Sequence, residues 1–286
     1  MKLPQDFDFN QGNLQDYADC AYRFYMRYIK RVKWPALVVD DAAQFEDRMQ
    51  AGAYFHRLIQ QFLVGIPETL ISEMVEALSS RFTASNTDLS AWWESFLTHV
   101  PSMLEGGQPF VETTLASSQA GQRLVAKYDL IMVTEDGRLT IFDWKTSNKT
   151  PRVDWLLDRL QTKLYCFVLT EASSLFFNGY SIKPEQITMN YWYVSQPGTP
   201  VLLPYSRTAY SQDQAHLTQL INDICTSQPA DFHRTSDLKQ CRYCVYRSHC
   251  DRGIEAGGLA EFEDFDLEAD AFAAEISFED IPEIKF

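Results

Sequence analysis

Two stretches in the middle of the chain carry apolar residues on both sides of a short polar break. Val125 to Thr134 and Arg138 to Lys145 are rich in β-branched and bulky residues, and Glu135-Asp136-Gly137 separates them, so together they predict a β-hairpin. A three-residue loop with Gly137 in the left-handed position pairs Thr134 with Arg138. That register sets Ile131 opposite Ile141 and Val133 opposite Leu139, leaving Leu130, Met132 and Phe142 for the other face. Both faces are then apolar, which predicts a sheet covered on its two sides. A two-residue Asp-Gly loop would slip the register by one residue and exchange the faces of one strand.

Helical periodicity flanks this hairpin. Asn13-Leu-Gln-Asp16 reads as a capping signal that opens a helix to about Lys33, and a second helix is expected from Ala42 to Val64. Pro67 opens another to about Phe82, and Leu89 to Leu104 forms one more, ended near Pro101. Pro109 to Ser118 is expected as a strand with Glu112 in its first half. Val153 to about Glu171 is apolar at helical spacing through Leu156, Leu157, Leu160, Leu164 and Phe167. Asn190 to Ser195 reads as a strand, with Gln186 to Met189 leading in, Pro200 to Arg207 as its hairpin partner, and Ser211 to Thr226 as a closing amphipathic helix. Strands gathered between helices predict an α/β layered domain with a mixed central sheet flanked by helices.

With 45% hydrophobic and 14% aromatic residues, 286 residues suffice for one large domain. No run approaches the roughly 18 apolar residues of a membrane helix, and Met1-Lys2-Leu3-Pro4-Gln5-Asp6 lacks the apolar core of a signal peptide. The expectation is a soluble, cytoplasmic protein with no membrane partner.

The hairpin also carries chemistry. An extended strand puts Asp143 and Lys145 on one face, and the three-residue loop brings Asp129 directly across from Asp143. Two carboxylates that can hold a hard cation, beside an ammonium that can orient water, are the minimum equipment for metal-assisted phosphodiester cleavage. Glu112 could join them, or stand as an acid at a strand edge in solvent. Gln161 and Tyr165 are four apart and share a helix face. His56, in Gly52-Ala-Tyr-Phe-His56, reads by itself as a structural histidine.

The net charge of −14 is concentrated in a tail: residues 255 to 286 hold eleven acids and one Lys, a net of −10. Within the body, Arg23, Arg27, Lys30, Arg31 and Lys33 form one basic cluster, and Lys145, Lys149, Arg152, Arg159 and Lys163 flank the acid-base strand. Such clusters can follow a phosphate backbone. The acidic tail, with Phe262, Phe265 and Phe278 among its acids, fits a solubilising end, a nucleic-acid mimic or a dock for a protein partner.

Cys241, Cys244 and Cys250 follow a C-x2-C-x5-C spacing, which in a cytosolic protein favours metal or cluster ligation over disulfides. Of Cys20, Cys166 and Cys225, Cys20 is the best fourth ligand. Four thiolates could hold zinc or an iron–sulfur cluster, and the spacing leaves both open. Tyr22, Phe24, Tyr25, Tyr243 and Tyr246 nearby favour a dry cluster site.

From about Leu14 to Cys250 the chain resembles the RecB-like branch of the PD-(D/E)xK nucleases in its iron–sulfur form, which includes AddB-type nuclease domains and CRISPR-associated exonucleases. The family's Gly-x-x-x-His matches Gly52 to His56, its strand acid Asp129, its (D/E)-x-K Asp143 to Lys145, and its Q-x-x-x-Y Gln161 to Tyr165. Its cluster ligands, one early Cys and a late C-x2-C-x5-C, match Cys20, Cys241, Cys244 and Cys250. Where the family has Gly three residues before the strand acid, this chain has Ala126.

The resemblance implies a restriction-endonuclease-like fold and metal-dependent DNA cleavage, with a 4Fe-4S cluster stapling the N- and C-terminal parts. It implies that Asp129, Asp143, His56 and the Trp144 carbonyl hold Mg²⁺ or Mn²⁺, that Lys145 positions water, and that Gln161 and Tyr165 contact DNA or brace the acids. The expected organisation is a nuclease domain over 1–254, with a helical insertion over about 67–105, and an acidic tail over 255–286. The expected activity is a single-strand exonuclease in DNA repair, recombination or CRISPR-type processing. The rival readings are an inactive nucleic-acid-binding accessory subunit and a zinc-stapled interaction protein.

Overall fold

The computed structural model describes residues 3–4, 6–33, 42–82, 87–147, 149–177, 179, 181–242 and 244–255. The acidic tail from 256 onward and Tyr243 lie outside the described residues. The chain runs through α1 (Gln11–Asp19), α2 (Ala21–Phe24), α3 (Ala42–Leu63), α4 (Glu68–Ser79) and α5 (Leu89–His99) before its first strand. β1 (Gly107–Gln119), β2 (Gln122–Thr134) and β3 (Leu139–Lys145) follow, then α6 (Val153–Asp158) and α7 (Leu160–Ala172). β4 (Ile187–Tyr193), β5 (Val201–Pro204), α8 (Arg207–Thr226) and the short α9 (Lys239–Arg242) and α10 (Arg247–Cys250) complete it. Among the described residues no helix is long and apolar enough to cross a membrane.

The five strands form one sheet in sequence order, antiparallel except for the parallel β3–β4 pair. A parallel neighbour requires a crossover, and α6 and α7 provide it. The β2–β3 register is the expected one: Ile131 pairs with Ile141 and Val133 with Leu139, and Gly137 turns the loop at φ 79°. Period two then sorts the apolar residues into two cores. Ile131, Leu139, Ile141, Met189 and Tyr191 pack with residues of α1, α7 and α8, whereas Leu130, Met132, Phe142, Trp144 and Trp192 pack with residues of α3, α4 and α5. Helices cover both faces of this mixed sheet, as the apolar pattern of the hairpin requires.

Three expectations about helices are corrected. The first helix is capped by Asn10, whose side chain accepts from the Asn13 amide while the Asn13 side chain accepts from that of Asn10. It stops at Asp19, because Cys20 is extended at φ −160°, and a π-helical turn over Tyr25–Ile29 follows α2. The expected helix from Val153 breaks at Arg159, which is extended at ψ 140° and begins α7 in a new direction. The early basic cluster is also partly structural. Arg23 is 4% exposed, with Nε 2.7 Å from Asp16 and Nη2 2.6 Å from Asp19, and Arg27 reaches the other Asp16 oxygen at 2.8 Å. Guanidinium groups committed to carboxylates in this way are poorly placed to follow a phosphate chain.

Candidate active site and cysteine cavity

The β2–β3 ladder ends on the rung Leu130–Phe142, and the next residues along are Asp129 and Asp143. There the Asp129 carboxylate takes over from the backbone ladder: its Oδ2 accepts the Trp144 N–H at 3.0 Å. Its Oδ1 lies 3.3 Å from Nδ1 of His56, which α3 delivers from the other side of the sheet. Gly52, one helical turn earlier, is where α3 passes the end of β3; a Cβ there would meet Thr146 Oγ1 at 3.2 Å.

Asp143 is 6% exposed and is held from two directions. Lys145, two residues on along the same strand face, places Nζ 2.9 Å from Oδ2, and Gln161 at the start of α7 donates from Nε2 to Oδ1 at 2.8 Å. Tyr191, paired with Asp143 across the parallel ladder, donates its hydroxyl to Gln161 Oε1 at 3.2 Å and shares it with Thr162 at 2.8 Å. His56, Asp129, Asp143, Lys145 and Gln161 therefore meet at one end of the central strands. Tyr165, one turn further along α7, is buried behind them with its ring 5.0 Å from that of Tyr128. Trp144 sends its side chain into the core beneath α5.

The two carboxyls are shifted in opposite directions. Burial pushes the Asp143 carboxyl up to about 6, with neighbouring Asp129 adding to the shift and Lys145 opposing it. Burial works the same way on Asp129, but His56, the Trp144 N–H and Lys145 outweigh it and hold that carboxyl below the ordinary range. Two carboxylates that raise each other's cost of ionisation, with an imidazole beside them, are a donor set suited to a divalent cation. Among the described residues, no three His, Cys, Asp or Glu side chains already converge on a single point that would hold an ion.

Two features escaped the sequence, the first being the backbone setting of Glu112 rather than its place near the acids. Glu112 lies between the rungs Val111–Leu130 and Thr113–Tyr128, opposite Asp129, and its φ of 48° is one that non-glycine residues seldom adopt. Burial raises its carboxyl, and Lys127 binds it at 2.8 Å. It is a partly buried acid beside the pair, with a side chain 20% exposed. Tyr191 is the other, and its role depends on β4 lying parallel to β3, which no local pattern announces.

At the far end of the chain, Cys20, Cys241, Cys244 and Cys250 line one cavity, whereas Cys166 is buried in the core and Cys225 is exposed elsewhere. The break at Cys20 turns its thiol toward the late segment, where the Thr235 amide lies 3.4 Å from the sulfur. Tyr22 and Tyr246 contribute to the lining as expected, but so do Arg23, Arg234 and Arg252, and Phe24 belongs to the core. The wall is therefore cationic as well as aromatic. Burial raises the Cys244 and Cys250 thiols, and Arg23 and Arg234 respectively oppose that shift.

The solved structure of SSO0001 aligns over 88% of this chain and 89% of its own at 13% identity, with a TM-score of 0.41. A protein of Eubacterium rectale, provisionally named an exonuclease, aligns over 90% of this chain and 96% of its own at 10% identity and a TM-score of 0.52, a likeness of fold. No curated protein matches the sequence. The sequence model of the PD-(D/E)XK nuclease superfamily matches residues 8–251, a span that contains all the side chains gathered around Asp129 and Asp143, and the chain belongs to that superfamily.

Proposed function

We propose that the protein is a Mg²⁺- or Mn²⁺-dependent deoxyribonuclease of the RecB-like iron–sulfur type, acting on single-stranded DNA or on free ends. The observation that carries this reading is the meeting of two bonded sets at one end of the central strands, His56 with Asp129 and Lys145 and Gln161 with Asp143. Asp129, Asp143 and His56, with the Trp144 carbonyl, would hold the cation. When bound, the ion polarises the scissile phosphate and lowers the pKa of its water. Lys145 then orients the attacking water and offsets the negative charge that builds on the phosphate. Gln161 keeps the Asp143 carboxylate aimed, and Tyr191 keeps Gln161 in place.

In the same reading Cys20, Cys241, Cys244 and Cys250 hold a 4Fe-4S cluster. What supports it is that the four thiols line one cavity. The cluster would be a staple between the ends of a nuclease domain over 1–254, with α4 and α5 forming its inserted helical cover. A cytoplasmic enzyme of DNA repair, recombination or CRISPR-type processing fits this assignment. The inactive-subunit reading is disfavoured because every position of the motif holds a competent side chain.

The test is digestion of end-labelled single- and double-stranded DNA by the purified protein with Mg²⁺, with Mn²⁺ and with chelator. Metal-dependent shortening of the single strand from an end is expected. Intact substrates at every metal concentration would refute the assignment.

A further inference from the structure

The segment joining β3 to α7 carries surface that the proposed chemistry leaves unused. α6 is six residues long and is anchored by Leu156, which is fully buried, yet Val153, Trp155 and Leu157 are each 41% to 50% exposed. Apolar area concentrated on one short element and rimmed by polar groups marks a contact surface. The rim here is basic. Lys149, Arg152, Arg159 and Lys163 outnumber Asp154 and Asp158 by two, and those two acids are paired with Arg152 at 3.2 Å and Lys163 at 2.5 Å.

Arg159 links this surface to the acids. Its guanidinium lies 5.0 Å from the Trp155 ring centre and 5.9 Å from that of Tyr191. It is also close enough to Asp143 to favour the charged form of that carboxyl. A short line therefore runs from the exposed indole, through the guanidinium, to the acid pair.

We propose that Trp155 is a stacking platform for one base of a single-stranded nucleic acid, with Arg159 guiding the adjoining phosphate toward Asp129 and Asp143. The proposal rests on the nuclease reading and narrows it to a substrate whose bases are free to leave the stack. A base inside a duplex has both faces covered, whereas a base in a single strand can lay one on an indole. Because every base has such a face, the platform would be tolerant of sequence. Arg159 is suited to the neighbouring phosphate, since a guanidinium can lie against an aromatic face while its N–H edge binds an anion.

The test uses the full chain in chelator, with anisotropy of dye-labelled oligo-dT and of a blunt duplex as the readout, for the parent, Trp155→Ala and Trp155→Phe. Trp155→Ala should weaken oligo-dT binding about ten-fold, leave duplex binding within about two-fold, and be largely rescued by Phe. In Mn²⁺, the same variant should raise KM for the single strand while kcat stays within about two-fold. Unchanged oligo-dT affinity in Trp155→Ala would overturn the platform and leave the surface to a protein partner. Equal weakening on single strand and duplex would overturn it too, as loss of a general contact. A parent that binds oligo-dT but never cuts it would instead sink the nuclease reading while leaving the platform standing.

Discussion

The acid pair and the cysteine cavity are built from opposite kinds of sequence distance. Asp129 and Asp143 lie on consecutive strands joined by three residues, so strand register alone sets them side by side. The thiol of Cys20 meets a segment 215 residues away, as its contact with the Thr235 amide records, and nothing local enforces that approach. The first site is positioned by two hydrophobic cores that would form with or without a ligand. The second needs two distant segments to close, so a group held by all four thiols would add its binding energy to folding. Damage to the two sites should therefore show up in different measurements.

The largest effect is expected at the acids. Asp143→Ala and Lys145→Ala should each cut nuclease activity by about a hundred-fold or more, with circular dichroism and visible absorbance at parent values. Parent-level cleavage by either variant would remove the site from the mechanism. The converse holds at the cavity. If the proposed 4Fe-4S cluster is held there, Cys20→Ser or Cys250→Ser should lose its brown visible absorbance and several kcal/mol of thermal stability, because each would remove a ligand that ties the termini together. A brown Cys20→Ser protein with parent iron and sulfide would break the contrast.

Smaller changes sharpen it. Tyr191→Phe removes the hydroxyl that holds Gln161, so cleavage should fall by less than about ten-fold while stability drops by about 1 kcal/mol, read by urea unfolding. Asp213 serves as a buried acid outside both sites. Burial pushes its carboxyl up to about 6, against the Tyr205 hydroxyl at 2.9 Å and Lys163. A folded value above the unfolded one means stability that is present below about pH 4 and lost as pH rises through 6. Asp213→Asn should therefore gain on the parent across that window, by about 1 kcal/mol at pH 7, as thermal melts at stepped pH would show. A variant that lost ground to the parent as pH rose would reverse the assignment.

Much of this was legible because it is local. Gly137 fixed the loop, the loop fixed the register, and the register fixed which acids meet. Cys20 stands out in the sequence as the best fourth ligand and the family resemblance matches it to the late cysteines; the structure lines one cavity with all four. What escaped was either non-local or a choice between equivalent local options. Asn10 and Asn13 are both competent caps, and only the tertiary setting selects Asn10. The break at Arg159 lies inside an unbroken helical pattern, where turning α7 lets Leu160, Leu164 and Phe167 all enter the core. Glu112 takes its positive φ inside the β1–β2 ladder, and Tyr191 reaches the site only through the crossover to β4.

The proposal that the Asp129–Asp143 end of the hairpin holds a divalent metal is open to direct measurement. It is tested most directly by titrating Mn²⁺ into the parent, Asp129→Ala and Asp143→Ala proteins and following free Mn²⁺ by electron paramagnetic resonance. The parent should bind the ion, and each variant should bind it at least about ten-fold more weakly. Parent-strength binding in both variants would contradict the claim.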